Sequence, residues 1–281
     1  VALKTDVVLS SALDGWKGTV GGEARAIGGS GVLASRPRLA IRFEGQAQQM
    51  ALDGTLEADA VTASALNLAG LRASARSAAS TPLGPLLSQL AEGVGALQRN
   101  NQLHAAFALD RQRSGTHLAV TALELKGEKQ SRIALGRGGR IELSLPDMRW
   151  TMQGGLVSSG GGLPDMALRL NPARNGGVAG QMFVKPYAAR GSRLELEPVR
   201  FTAGRDGATH IVTRLRLDGP MPDGVLRGLE IPVTAHWGPR GLAVNTACAP
   251  VRVSALKVGA VALGDARLTA CPLDGGMITL R

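Results

Sequence analysis

A period-two alternation of apolar and polar residues recurs between Gly, Pro and Asn turns almost from one end of this chain to the other. Successive side chains of a strand point to opposite faces of a sheet, so the pattern marks antiparallel strands with one apolar and one wet face. Leu56, Ala58 and Ala60 carry it, as do Leu103, Ala105, Phe107 and Leu109, then Leu118 and Val120, and Ile211, Thr213, Leu215 and Leu217. Three stretches read as hairpins whose two arms share a face. Ile133 and Leu135 lead through Gly138-Gly139 to Ile141, Leu143 and Leu145. Met166, Leu168 and Leu170 lead through Asn175-Gly176-Gly177 to Val178, Met182 and Val184. Val233, Ala235 and Trp237 lead through Gly238-Pro239-Arg240-Gly241 to Leu242 and Val244. The expected fold class is all-β and antiparallel.

One segment breaks the period. Thr81-Pro82 followed by Leu83, Leu86, Leu87, Leu90, Val94 and Leu97 fits an amphipathic helix near 82–98, with Thr81 as N-cap and Pro82 in the first turn. A single helix covers only a few strands, so most of the apolar sheet face needs another form of cover. The residues that could fill a thick core are also few: 44% of the chain is hydrophobic but only 3% aromatic, and 38 residues are Gly. This shortage of cover is the main physical clue to function. Two segments echo one another in residue type: Glu142-Leu143-Ser144-Leu145-Pro146 with Met148-Arg149-Trp150-Thr151, and Glu195-Leu196-Glu197-Pro198 with Val199-Arg200-Phe201-Thr202. They suggest a repeat.

The net charge of +10 suits nucleic acid or an anionic membrane surface. The arginines, however, are scattered singly, as at Arg25, Arg72, Arg132 and Arg214, and no basic run is interleaved with aromatics that would stack bases. No nucleic-acid partner is therefore expected. Enzyme chemistry lacks a signature too. There is no Gly-x-Gly-x-x-Gly opening a helix, no phosphate loop and no Gly-x-Ser-x-Gly elbow. Ser254-Ala255-Leu256-Lys257 matches a Ser-x-x-Lys pattern, but inside a strand-like run and without companion motifs. His104 and His117 are placed to meet across a hairpin turning near Arg111 to Gly115, on the face opposite Phe107 and Leu118, with no carboxylate or thiol close in sequence to complete a metal site. A non-enzymatic protein without cofactor or metal is the expectation.

Cys248 and Cys271 are the only cysteines, and the span between them reads strand, turn, strand. Either they face each other across a C-terminal hairpin at 246–273 and form a disulfide, or they are two buried thiols. A disulfide closing that loop contributes about 3 kcal/mol in the chain-entropy model. No apolar stretch reaches the length of a transmembrane helix, and the first residues, Val1-Ala2-Leu3-Lys4, form no signal peptide and contain no initiator Met. The sequence is therefore read as a piece of a longer chain.

In the C-terminal third, Leu194-Glu195-Leu196-Glu197-Pro198-Val199-Arg200-Phe201 is followed by Leu217-Asp218-Gly219-Pro220, then by Gly228-Leu229-Glu230-Ile231-Pro232-Val233. Cys248-Ala249-Pro250-Val251 and Leu268-Thr269-Ala270-Cys271-Pro272 come after. Together with the Pro-started helix at Thr81, these segments resemble the YdbH-like proteins, which belong with the AsmA-like and TamB-like proteins of the bacterial envelope. The resemblance covers about two thirds of the chain and carries no catalytic motif. It implies an extended, curved antiparallel sheet forming a taco-shaped groove, continuous over 1–281, with the helix as an insertion at 81–99. It further implies a periplasmic protein held at the inner membrane by an upstream anchor, with a possible protein partner on the outer-membrane side. Phospholipids would pass along the groove between the two membranes, their acyl chains on its apolar face. From the alternation, the candidate groove-facing residues are Leu66, Leu68, Ile133, Leu135, Leu143, Leu168, Leu170, Leu215, Leu217, Val258 and Leu263. A slip in the alternation between Ala255 and Leu256 leaves the facing of the last two open. The same alternation would serve the alternative, a structural or interaction β-domain of the envelope with no lipid ligand.

Overall fold

The computed structural model describes residues 2–11, 14–29, 32–46, 49–63, 68–173, 176–238, 241–273 and 275–280. Strand makes up 65% of the described residues and pairs antiparallel, as the alternation requires. The chain divides into two compact units, the first made of Val1–Asn67 with Gly93–Gly161, the second of Leu68–Glu92 with Gly162–Arg281.

The first unit contains β1 (Ala2–Leu9), β2 (Gly15–Glu23), β3 (Ala26–Gly29), β4 (Val32–Gln46) and β5 (Gln49–Ala63). Two helices follow, α1 (Leu68–Ser77) and α2 (Leu83–Leu97), and the boundary between the units falls inside α2. The unit resumes with β6 (Asn101–Gln112), β7 (Gly115–Lys126), β8 (Arg132–Leu135), β9 (Arg140–Leu145), β10 (Arg149–Gln153) and β11 (Leu156–Ser159). Its strands are laid down largely in chain order. β1 pairs with β2, β2 and β3 lie end to end along β4, and β4 to β7 form a meander.

Beyond β7 the sequence expectation needs correction. Ile133–Leu135 and Ile141–Leu145 do not form a hairpin: β8 and β9 lie one after the other along β7, and β11 and β10 pair outside them. The glycines at 136–139 interrupt one strand line, and Gly154-Gly155 interrupt its neighbour at the same level, where the Gly136 N–H donates to the Gly155 carbonyl at 2.9 Å. A double glycine signals a turn in sequence, but here it marks a matched break in two adjacent strand lines. The true turn lies at 146–148.

The second unit contains β12 (Met166–Pro172), β13 (Val178–Val184), β14 (Tyr187–Ala189), β15 (Ser192–Leu196), β16 (Val199–Ala203), β17 (Thr209–Met221) and β18 (Gly224–Gly238). It continues with β19 (Gly241–Val244), β20 (Ala249–Val253), β21 (Ala255–Val258), β22 (Val261–Leu263), β23 (Ala266–Ala270) and β24 (Ile278–Leu280). The two remaining expected hairpins are present as β12 with β13 and β18 with β19, although Asn175 and Pro239-Arg240 of their turns lie outside the described residues. β15 and β16 both pair with β17 and not with each other, whereas β9 and β10 are direct neighbours. The sequence echo between those segments is therefore not a structural repeat. The C-terminal segment folds as expected into nested pairs, β20 with β23 and β21 with β22, closed by a Cys248–Cys271 disulfide.

The helix expected near 82–98 is α2, and its N-terminus is capped as the residue types demand: the Leu83 N–H donates to Thr81 Oγ1 at 3.3 Å. In the second unit, Leu86 of α2 joins Tyr187, Ala189, Leu217, Leu226 and Val253 in a buried hydrophobic cluster, and Leu83 packs against it. Tyr187 is anchored there by donating its hydroxyl to the Gly162 carbonyl at 2.6 Å, and burial raises its pKa above the ordinary phenol value. In the first unit the last turn of α2 is pinned by Asn101, a fully buried side chain whose Nδ2 donates to the carbonyls of Leu97 and Val61. α1 was not expected from the alternation.

Candidate functional site

The sheet of the first unit sets its apolar side chains in register from strand to strand. One row runs Val7, Gly18, Phe43, Leu52, Leu109, Leu118, Leu143, Trp150, crossing eight strands from β1 to β10. The next row runs Thr5, Val20, Ile41, Gly54, Phe107, Val120, Ile141, Met152. At an interstrand spacing of about 4.8 Å, eight strands span about 34 Å, close to the roughly 30 Å hydrocarbon thickness of a bilayer. Of the two rows only Gly54, under the Phe107 ring, is buried: Val7 is 49% exposed and the larger residues further in all keep part of their surface open. The buried hydrophobics of the first unit lie elsewhere, at Ala58, Val61, Ala96 and Leu97 near the end of α2, and at Ala119 and Ala134 on the other face. The second unit has a packed core under α2, whereas the apolar face of the first has no comparable cover.

Scarce aromatic residues are placed by glycines on the same face. Phe43 lies over Gly18, Trp16 over Gly45 and Phe107 over Gly54, each pair directly opposite in the ladder, and a Cβ on any of these glycines would collide with the ring. Phe201 and Gly180 repeat the arrangement in the second unit. The ring covers backbone that a glycine leaves bare, and the glycine lets the ring lie flat on the sheet. Trp16 and Phe43 also contact each other, with centroids 5.3 Å apart. The face is thus smooth and greasy, with few side chains standing above it.

The opposite face is charged. Arg38, Glu57, His104 and Glu124 stand directly opposite one another across β4, β5, β6 and β7. Arg38 reaches Glu57 and Asp59 at 3.7 Å, and His104 Nδ1 lies 3.6 Å from Glu57. Lys126 at 3.0 Å and Arg132 at 2.6 Å hold the Glu124 carboxyl below the usual carboxylate range. These exposed pairs fix the wet side of the sheet and contribute little each. His104 and His117, expected to meet, stand instead opposite Glu124 and Asp110 at opposite ends of β6 and β7. The hairpin turn was placed correctly, but its register separates the two rings. Among the described residues no cluster of three His, Cys, Asp or Glu side chains could hold a metal. A cavity of about 730 Å³ in the first unit combines Leu9, Trp16 and Met50 with Lys17, Glu44 and Asp110, at one end of strands β1, β2, β4, β5 and β6.

The expected groove-facing residues fall as follows. Ile133, Leu135 and Leu143 lie on the partly exposed apolar face of the first unit. Leu168 and Leu170 do the same in the second unit, and Leu215 packs beside its core. Val258 and Leu263 are 39% and 37% exposed. The slip in the alternation lies at Ser254, which abuts Gly228 in a positive-φ conformation, and it brings Leu256 to the same cluster as Val251 and Val253. Two placements need correction. Leu217 is 4% exposed and belongs to the core shared with Leu86, so the protein covers it with its own helix. Leu68 opens α1 and is no strand residue; Leu71 and Ala75 continue its spacing at i+3 and i+7, a helical period masked by the apparent alternation of Leu66 and Leu68. Leu66 lies outside the described residues. The apolar rows through β1, β2, β4 and β5 were missed as site residues, although Val7, Phe43 and Leu52 show the same alternation.

No protein-family model, no characterised protein and no solved structure matches the chain. Among the described residues no helix is long and apolar enough to cross a membrane.

Proposed function

We propose that this chain is part of a lipid-conducting β-groove of the bacterial envelope, holding phospholipid acyl chains on its apolar sheet face and passing them between the inner and outer membranes. The observation that carries the proposal is the pair of apolar rows crossing eight strands of the first unit with no buried side chain in either. An acyl chain laid on such a face supplies the missing cover, each buried methylene contributing about 0.8 kcal/mol before the cost of ordering the chain. Head groups would remain at the wet margin, and a smooth apolar track needs no catalytic residue to lower the barrier to sliding. The Cys248–Cys271 disulfide accords with an oxidising compartment such as the periplasm. The resemblance to YdbH-like and AsmA-like proteins supports the same reading and adds an inner-membrane anchor and a partner near the outer membrane.

The test is mass spectrometry of organic extracts of detergent-free protein, beside a Leu118→Asp variant whose circular dichroism matches the parent. Phospholipid at about one or more molecules per chain, lost in the variant, is expected. A native protein free of lipid would move the assignment to a structural β-domain whose apolar face is covered by another protein.

A further inference from the structure

We propose that His210 and His236 form a two-imidazole site for a divalent transition-metal ion, Cu2+ above all, on the wet face of the second unit. The two residues stand directly opposite one another on β17 and β18, and their ring centroids lie 4.6 Å apart with the planes tilted by 39°. They lie on the side of β17 that also carries Arg214 and Arg216, away from Leu215 and Leu217. The other two histidines are engaged elsewhere: His104 Nδ1 lies 3.6 Å from the Glu57 carboxylate, and His117 Nδ1 lies 3.1 Å from Ser144 Oγ. His210 and His236 make no hydrogen bond or ion pair among the described residues, and each has the other ring as its partner.

The ladder supplies the geometry a chelate needs. One metal ion held at about 2.0–2.1 Å by each ring requires its two nitrogens to lie within about 4.2 Å of each other. Directly opposite residues of antiparallel strands keep their Cβ atoms about 4.5–5.5 Å apart, so the backbone holds both rings within that reach and small side-chain rotations bring the nitrogens together. The neighbours leave room, since the pair is flanked in its row by the short side chains of Thr202 on β16 and Ala243 on β19. His236 is exposed and His210 half-buried, so an ion can enter from solvent. Chemistry selects the ion. No carboxylate stands in this row, whose further members are Ala179 and Thr279, so hard cations that need several oxygen ligands are poorly served. Imidazole suits copper, nickel and zinc, and among these Cu2+ binds a given nitrogen site most tightly. With two protein ligands the remaining positions fall to water or a small oxygen donor, which makes an open, exchangeable site and not a closed structural centre.

Titration of the metal-free chain with CuCl2 at neutral pH, followed by calorimetry and electron paramagnetic resonance, tests this independently of lipid binding. About one Cu2+ per chain is expected, with nitrogen hyperfine structure from two imidazoles. His210→Ala and His236→Gln should each weaken binding by at least about tenfold, the low end of what loss of even a residue behind a metal ligand costs, and should abolish the two-nitrogen signature. His236 is exposed, so His236→Gln reads the site without disturbing the fold if His210→Ala alters the circular dichroism. His104→Ala combined with His117→Ala should leave binding and signature unchanged. A chain that takes up no copper, copper held equally well by His236→Gln, or a signature lost in the His104 and His117 double variant would each overturn the proposal.

Discussion

Replacing Gly54 by alanine tests whether the glycines of the apolar face are there to seat aromatic rings. Gly54 is buried, lies in extended backbone on β5, and stands directly opposite Phe107, whose ring occupies the space of an added Cβ. In an ordinary strand the change would stabilise by roughly 0.5–1 kcal/mol through the unfolded chain. Here the methyl must push the Phe107 ring off the sheet, an overpacking cost of roughly 1–3 kcal/mol. Gly54→Ala should therefore destabilise the first unit by up to roughly 2 kcal/mol, the difference of those two terms. In a Phe107→Leu background the collision is relieved, and the same substitution should be neutral or stabilising. The coupling in the double-mutant cycle is then the collision itself, roughly 1–3 kcal/mol. Urea unfolding followed by Trp16 and Trp150 fluorescence reports this unit, because Trp237 belongs to the other and is removed as Trp237→Phe in all four proteins. An equal effect of Gly54→Ala in both backgrounds would refute the reasoning.

Further outcomes follow from the core, the polar face and the disulfide. Leu86→Ala should cost about 2–5 kcal/mol in thermal or urea unfolding of the second unit, since Leu86 is 3% exposed and central to its only buried cluster among the described residues. Glu124→Gln should cost under about 1 kcal/mol at neutral pH, and the loss should vanish in acid. Its carboxyl is held low by Lys126 and then Arg132, so its contribution is complete above the unfolded value of 4.5 and disappears as pH falls through the lower folded value. A stability difference between parent and variant that stays constant as pH falls from neutral through that range would contradict the pairing. Replacing both Cys248 and Cys271 by serine should remove about 3 kcal/mol of stability by releasing the loop between them, read as a lower urea midpoint.

The alternation made the fold class legible because the side-chain period of two is local, needing no knowledge of partners. α2 was legible for a similar reason: Thr81, Pro82 and the leucines from Leu83 to Leu97 state its cap, first turn and stripe. Pairing was less legible. Ile133–Leu135 and Ile141–Leu145 alternate identically whether they face each other or lie in line along β7, and only long-range register distinguishes the two. For the same reason the glycine–aromatic pairs were invisible, since Gly54 and Phe107 are far apart in sequence and meet only when β5 and β6 are in register. Leu217 shows the limit at the site: its strand pattern gives the face correctly, but whether that face is covered depends on where α2 lands. Leu68 shows the opposite error, where a short apolar alternation was the start of a helix.

Photo-crosslinking in cells from the two faces of β7 separates a sheet that carries acyl chains from one that does not. A benzophenone amino acid replaces either Leu118, on the apolar face, or His117, exposed on the polar face of the same strand. If the apolar rows carry acyl chains, irradiation should attach phospholipid at position 118 and not at position 117. Lipid at neither position, or equally at both, would contradict the account.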